Sequence, residues 1–310
     1  MNEPLRPMSV GQLMDRTFSL YRNNFILFVG IAALGPAAYL VFQLLTIGSA
    51  ALPGVAPRHT GAAFASLGIG MLVGIFVMLA GMAISQAATV KAVAAVHLGR
   101  TITIGGAYKA LRGRIGRVLA VFALVILLVG VAVMVVVMLA GIIGGVAFVG
   151  GARAGTGGAI LGGLVAIVAV AVGATLAITI YVRYSLAIQA CVVEDLGPVA
   201  SLKRSAVLSK GARSRVLTIY FVFFVLSLIV SVLLGGTAGG LGALLHKPII
   251  ALIMVYLASF ISGSLTGPLA TIGISLLYYD ERVRKEAFDL QLMMSSLDAP
   301  TPSIAAPLQA

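Results

Sequence analysis

Six long stretches without a charged side chain are the feature that most constrains the fold of this chain. A bilayer core about 30 Å thick takes about 20 helical residues to cross, and irregular backbone there would leave amide and carbonyl groups without hydrogen-bond partners. The composition agrees, since 60% of the 310 residues are hydrophobic and only 10% are charged. The stretches cover residues 25–47, 62–90, 118–149, 159–182, 216–234 and 248–279.

The sequence therefore predicts an all-α fold, a polytopic membrane helix bundle with six transmembrane helices. We assign these helices to one domain, residues 1–294. The last segment, residues 295–310, carries three prolines and little periodic hydrophobicity, so we expect a disordered tail.

The basic residues alternate from one connecting segment to the next. Of the 21 Lys and Arg residues, 18 fall in the four segments that six crossings place on one side, and 3 fall in the other connections. Positively charged segments stay in the cytoplasm, so both termini are predicted to be cytoplasmic. The net charge of +12 is then a topology signal and an attraction for anionic lipid headgroups.

Three of the cytoplasmic segments contain a short amphipathic helix that leads into a membrane span. In the first, Ser9 and Gln12 have the spacing of a capping box. Pro198 is placed to begin the third. The clearest correspondence pairs two sets of four residues at identical spacing, namely Met14, Arg16, Leu20 and Arg22 with Leu202, Arg204, Leu208 and Lys210.

The spacing of these elements suggests an internal repeat. Arg16, Lys109 and Arg204 are separated by 93 and 95 positions, close to a third of the chain. Each unit would hold an interfacial helix and two spans, which gives three hairpins inserted the same way round. Because the sequence identity between the units is low, simple recurrence of a common membrane-protein pattern is an equal alternative.

The basic interfacial helices and the charged segment after the last span are the predicted contact surfaces. We expect the bilayer, with its anionic headgroups, as one partner and a membrane or cytosolic protein as an open second. Nucleic acid is not expected, since the chain has no soluble basic domain to bind it. The candidate contact residues are Arg16, Arg22, Lys109, Arg112, Lys203, Arg204, Lys210, Arg282 and Arg284.

Enzyme chemistry finds no support in the sequence. All nine carboxylates lie in cytoplasmic segments, the three histidines have no metal-binding spacing, and no phosphate-binding glycine loop is present. We therefore predict no catalytic residue, no metal site and no cofactor. The lack of an acid in any span also disfavours a proton- or sodium-coupled transporter.

Two Gly-Pro pairs predict helix kinks, at Pro36 in the first span and at Pro268 in the sixth. Hydroxyl side chains surround the second kink. They would either satisfy the freed carbonyl groups or line a small polar site. These residues are Ser262, Ser264, Thr266 and Thr271.

The segment after the sixth span predicts a helix that emerges into the cytosol. Three oppositely charged pairs have i, i+4 spacing, namely Asp280 with Arg284, Glu281 with Lys285, and Arg282 with Glu286. The helix is either solvated and self-paired or docked against the basic loops. Tyr278 and Tyr279 are expected at the headgroup level as an interfacial anchor.

Three segments carry a resemblance to a known family. They are Pro4 to Gly11 with the Asp15-Arg16 pair, Val193 to Asp195 with Leu202 to Ser205, and Tyr278 to Leu290. The chain resembles the membrane domain associated with glycerophosphoryl diester phosphodiesterases. The resemblance implies a multi-helix protein of the bacterial inner membrane. The catalytic domain of those enzymes has no counterpart in this sequence.

Together these observations favour a non-enzymatic inner-membrane protein, a scaffold or anchoring domain that organises a partner or lipid at its cytoplasmic face. The alternative is a transporter or lipid-translocating protein whose path runs beside the two Gly-Pro kinks.

Overall fold

The computed structural model describes residues 8–51, 61–152 and 156–286. Within these ranges the regular secondary structure is α-helical, which confirms the predicted fold class. The predicted tail, residues 295–310, lies outside the described residues.

Eleven helices make up the described ranges. In chain order they are α1 (Val10–Asn23), α2 (Phe25–Ala32), α3 (Leu34–Ala51), α4 (Gly61–His97), α5 (Ile104–Lys109), α6 (Ile115–Ala152), α7 (Thr156–Tyr184), α8 (Ala187–Val193), α9 (Pro198–Leu208), α10 (Arg213–Leu244) and α11 (Pro248–Glu286).

Six segments are long and apolar enough to cross a membrane. They are Phe25–Thr46, Gly70–His97, Ile115–Val146, Gly162–Val193, Arg213–Leu244 and Pro248–Glu286. Several helices extend past the apolar stretches seen in the sequence, because a charged side chain ends an apolar run without ending the backbone hydrogen bonds of a helix. The last helix, for example, continues from the predicted end near Tyr279 to Glu286.

The long helices pair as antiparallel neighbours, α3 with α4, α6 with α7 and α10 with α11. Helix α11 is central, since it also packs against α1, α2, α3, α4 and α9. The short helices each contact another hairpin: α1 lies on α11, α5 on α2 and α4, and α9 on α6, α7 and α8. The three predicted hairpins are thus joined through their short helices.

The buried core is concentrated where the short helices meet the long ones. Leu13, Leu111 and Leu208, one from each region, are almost fully buried, whereas α6 and α7 expose large apolar side chains along most of their length. An apolar surface of that extent suits hydrocarbon as the solvent.

Local sequence signals explain how the short helices begin. The Ser9 hydroxyl accepts a hydrogen bond from the backbone N–H of Gln12, and the backbone N–H of Ser9 donates to the side-chain oxygen of Gln12. These two bonds confirm the capping box. Pro198 lies in the first turn of α9, as expected. The buried faces of α1 and α9 also correspond, with Leu13, Thr17 and Leu20 in one and Ser201, Ser205 and Leu208 in the other.

Candidate functional site: a basic end and a polar cavity

The short helices, the first turns of α6 and α10 and the last turns of α11 meet at one end of the bundle. We call this the basic end, because Arg and Lys residues of α1, α5, α6, α9, α10 and α11 lie there. Lys247, at the start of α11, lies at the opposite end.

A buried acidic pair organises the basic end. Asp280 and Glu281, near the end of α11, expose 2% and 3% of their surface. Arg215, from the start of α10, lies 2.6 Å from a carboxylate oxygen of each. The backbone N–H of Met8 donates to Asp280 at 2.6 Å, so the segment before α1 is fixed to the last helix. Two buried carboxylates are tolerable only with such partners.

A second cluster joins α8, α9 and α11. Arg204 binds Glu194 at 2.8 Å and donates to the carboxylate of Glu286. Its hydrogen bond to Glu286, aided by Glu194, raises the pKa of Arg204 above its usual value. Arg282 lies 3.6 Å from Glu194 and 3.3 Å from Glu286. The cluster ties the interfacial helix α9 to the end of α11.

These contacts decide between the two interpretations of the segment after the sixth span. The three i, i+4 ion pairs of α11 are all present, which confirms the predicted self-pairing. The helix is nevertheless docked and not solvated, because Arg215 and Arg204 reach it from other helices. The expectation of an interfacial tyrosine anchor is wrong. Tyr278 is fully buried and donates to Glu194, and Tyr279 is 4% exposed.

The structure separates the nine candidate contact residues into three groups. Arg204, Arg282 and Arg284 bind carboxylates of the protein itself. Arg16 is exposed and takes part in a further interaction. The remaining five are exposed and have no ion pair with any described residue, and they are Arg22, Lys109, Arg112, Lys203 and Lys210.

A hollow on α1 lies beside this surface. It encloses about 520 Å³ and is lined by Asp15, Arg22 and three aromatic side chains at the junction with α2. Phe18 and Phe25 remain 42% and 44% exposed there. The hollow therefore combines both charge signs with apolar surface at the entrance to the first span.

The first predicted kink is an interruption between α2 and α3 at Ala33, with Pro36 in the first turn of α3. Pro36 has no N–H, so the carbonyl of Ala32, four residues earlier, has no helical donor. The hydroxyl of Ser85, from α4, donates to this carbonyl at 3.1 Å, and also to Ile31. Tyr108, from α5, donates to Ile31 at 2.6 Å.

The second predicted kink is different, since Pro268 lies inside the continuous helix α11. Tyr21, from α1, donates its hydroxyl to the carbonyl of Leu265 at 2.7 Å. A tyrosine of an interfacial helix thus binds backbone just before each proline. This relation was not evident in the sequence, where both tyrosines look like ordinary interfacial residues.

The hydroxyl groups around Pro268 have three roles. Ser262 and Thr266 join α11 to α10 through Ser231 at 2.7 Å and Ser227 at 3.0 Å. Ser264 donates to a carbonyl of its own helix, four residues earlier. Thr271 instead lines a cavity, so the sequence-based alternative of a small polar site applies to this residue.

The cavity encloses about 170 Å³ between α4, α7, α8, α10 and α11. Its lining includes the polar side chains of Gln86, Tyr181, Ser185, Gln189, Tyr220 and Thr271. No charged side chain is among the described lining residues. Sequence reasoning did not single out Gln86 or Gln189. Gln86 lies within the predicted span 62–90, and a glutamine in an apolar span is the signal that could have found it. Gln189 lies beyond the predicted end of the fourth span at residue 182, so this signal does not apply to it.

Among the described residues, no group of three or more His, Cys, Asp or Glu side chains could hold a metal ion. Comparison of the chain with protein-family models, with curated proteins and with solved structures finds no match. The resemblance to the phosphodiesterase-associated membrane domain stays a prediction.

Proposed function

We propose that this protein is a non-enzymatic integral membrane protein that organises anionic phospholipid at its basic end, on the cytoplasmic side of a bacterial inner membrane. The supporting observation is the division of charge. Five of the six described carboxylates are bound to arginines and lysines other than the five exposed cations named above, so they do not neutralise those five. The exposed cations of α1, α5, α9 and the turns that follow α5 and α9 are left to act outward.

The arrangement is suited to lipid because it is rigid. The ion pairs of Arg204 and Arg215 fix α9 and α10 to α11, and Tyr21 fixes α1. Exposed lysines and arginines are therefore held at the entrances to the spans, at the depth where phosphate groups lie. Each basic residue near an anionic membrane surface contributes about 1 kcal/mol.

A five-site variant tests this proposal. Purified protein is placed in nanodiscs that contain equal amounts of phosphatidylglycerol and phosphatidylcholine, and the lipids retained after mild detergent extraction are measured by native mass spectrometry. We expect wild-type protein to retain phosphatidylglycerol preferentially. Replacement of all five exposed cations by Gln should reduce that preference about tenfold or more. The substituted residues are Arg22, Lys109, Arg112, Lys203 and Lys210.

Lys247→Gln is the control, because this residue is exposed at the opposite end of α11. It should leave the preference for phosphatidylglycerol unchanged. Raised salt should weaken the wild-type preference, since exposed charges are screened within about 10 Å at 0.1 M ionic strength. Equal retention of both lipids by the wild-type protein, or an unaltered preference in the five-site variant, would contradict the proposal.

Transport or lipid translocation is the second candidate function, and the polar cavity beside Pro268 favours it. A polar space within apolar spans is costly unless it serves a ligand or water. Protein reconstituted in liposomes should then move a fluorescent lipid or a polyol across the bilayer. Pro268→Ala should change the rate of that movement. Liposomes with and without the wild-type protein that show the same rate would exclude this function.

A further inference from the structure

One hydrogen-bond acceptor among the residues that line the polar cavity has no donor within the described part of the protein. Gln189, which lines the cavity from α8, is only 4% exposed. Its side-chain carbonyl oxygen is buried and has no hydrogen-bond partner among the described residues. A buried acceptor without a donor costs about 1–3 kcal/mol, so a bound group that donates a hydrogen bond would stabilise the site.

The lining defines the chemistry of such a group. Amide and hydroxyl groups from Gln86, Ser185 and Thr271 can donate or accept hydrogen bonds, whereas none of the described lining residues carries a charge. A phosphate or an ammonium group would therefore be buried without a counter-ion. An uncharged hydroxyl group fits, because it donates to one neighbour and accepts from another.

The mouth of the cavity indicates where the ligand enters. Gln86 on α4 is exposed, and Tyr181 on α7 is 41% exposed, although both lie within segments that can span a membrane. Tyr220, which lines the cavity from α10, is seven residues beyond Arg213 and hence about 10 Å from the basic end along the helix. With the basic end at the membrane surface, as proposed above, the opening faces the bilayer below the headgroups, near the depth of the lipid glycerol.

The volume of the cavity limits the size of the group that it can bind. A volume of about 170 Å³ has room for about five water molecules. It is smaller than the roughly 300–1,000 Å³ of sites that enclose a drug-sized ligand. The cavity can hold a three-carbon polyol head, with any acyl chains remaining outside in the membrane.

We infer that the Gln189 cavity binds an uncharged hydroxyl-bearing headgroup, carried by a neutral lipid such as a diacylglycerol or by a free polyol. None of the described lining residues is one of the exposed cations of the basic end, and the inference does not depend on anionic lipid being bound there. The lateral opening favours the lipid as the source.

Ligand binding is tested with the full-length protein in phosphatidylcholine nanodiscs. The probes are dioctanoylglycerol, its 3-acetyl ester, which lacks the hydroxyl, and glycerol. We expect a saturable rise in Tm with dioctanoylglycerol and none with the ester, since only a ligand that binds the folded protein raises Tm. A saturable rise with glycerol at similar concentrations would support the hydroxyl site and assign it to a polyol.

Two variants locate the binding site. Gln189→Leu removes the unpartnered acceptor and should weaken dioctanoylglycerol binding about tenfold. Gly267→Leu should fill the cavity and abolish binding. A Cβ at this lining position would meet no atom within 4 Å, so the added side chain starts in open space.

Gly130→Leu is the matched control, since a Cβ at Gly130, in α6, also meets nothing within 4 Å and this residue does not line the cavity. It should bind dioctanoylglycerol as the wild-type protein does. Three results would overturn the inference: no saturable response to either hydroxyl probe, an equal response to the acetyl ester, or unchanged binding in both cavity variants. The first result would mean that the cavity holds only water.

Discussion

The hydroxyl of Tyr21 donates a hydrogen bond to the carbonyl oxygen of Leu265 at 2.7 Å, three residues before Pro268. The two residues are 244 positions apart, and they connect the first interfacial helix to the last span. Pro268 removes the helical donor of the Ser264 carbonyl, four residues earlier, and the Tyr21 hydroxyl adds a donor to the neighbouring carbonyl in the same weakened turn. It also sets the position of α1 against α11.

Replacement of Tyr21 by Phe should reduce stability. The change removes only the hydroxyl, so the Leu265 carbonyl loses its external donor at a cost of about 1–3 kcal/mol in the free energy of unfolding. Unfolding of the purified protein by a steric-trapping assay would measure this cost. Tyr39→Phe is the control, because the Tyr39 hydroxyl only accepts from Gln43 within one helix and its loss should cost less. Equal effects of the two substitutions would show that the Tyr21 contact has no special role.

The acidic pair at the end of α11 predicts a larger effect at Arg215. Arg215→Met leaves the buried Asp280 and Glu281 without their shared partner, and removal of one member of a buried ion pair costs about 3–5 kcal/mol. Because Arg284 and Lys285 still contact the acids, we expect the low end of that range. The free energy of unfolding is the measurement.

Two further variants test the cause of that loss. Arg213→Met, at an exposed position two residues earlier, should change stability by less than about 0.5 kcal/mol. Adding Asp280→Asn and Glu281→Gln to Arg215→Met should recover part of the lost stability, since neutral amides cost less to bury than unpaired carboxylates. Failure of this recovery would indicate that Arg215 acts through packing instead of charge.

The α10–α11 turn depends on a glycine. A Cβ at Gly242 would lie 2.4 Å from the Cα of Ala251, which is backbone and has no rotamer to change. Gly242→Ala should therefore force the helices apart and cost about 1–3 kcal/mol. Gly240→Ala is the matched control, because its Cβ would meet nothing within 4 Å, and the better helix propensity should stabilise the protein by up to about 1 kcal/mol. Thermal unfolding of the two variants tests this prediction, and Gly242→Ala should have the lower Tm. A similar Tm for both variants would contradict the packing argument.

The elements of the fold follow from signals that are local in the sequence. Apolar runs longer than about 20 residues, the capping box at Ser9 and the i, i+4 pairs of α11 each involve residues within a few turns of one another. Such signals predict helices and their ends. They do not predict which helix packs on which, so the ion pair of Arg215 with Asp280, 65 residues later, was missed.

The candidate site could not be predicted from local signals, because it is formed by contacts between segments that are far apart in the sequence. Charge alone placed Arg204 and Lys203 in the same class, yet Arg204 is bound by Glu194 and Glu286 and Lys203 is exposed. A one-residue shift around a helix turns a side chain by about 100°, which is enough to separate an internal ion pair from a surface charge. The polar lining of the cavity likewise forms only in the folded protein, where Gln189 of α8 meets residues of four other helices.

The tyrosines that bind the two proline-containing spans also predict a response to alkaline pH. Burial raises the pKa of Tyr21 and of Tyr108 above the ordinary tyrosine value of 10.0. Each hydroxyl therefore holds its proton more tightly in the folded protein than in the unfolded chain. Its contribution to stability is complete below pH 10 and is lost as the pH rises through the folded pKa, because a phenolate cannot donate to a carbonyl.

We therefore expect ultraviolet titration of the folded protein to show delayed tyrosinate absorbance. The difference between the wild-type curve and that of Tyr21→Phe, or of Tyr108→Phe, should have a midpoint above pH 10. Between pH 8 and 11, the free energy of unfolding should fall more in the wild-type protein than in the double variant, which has already lost both donors. A midpoint at or below pH 10 for either tyrosine would show that its hydroxyl is solvated and does not hold the kinked span.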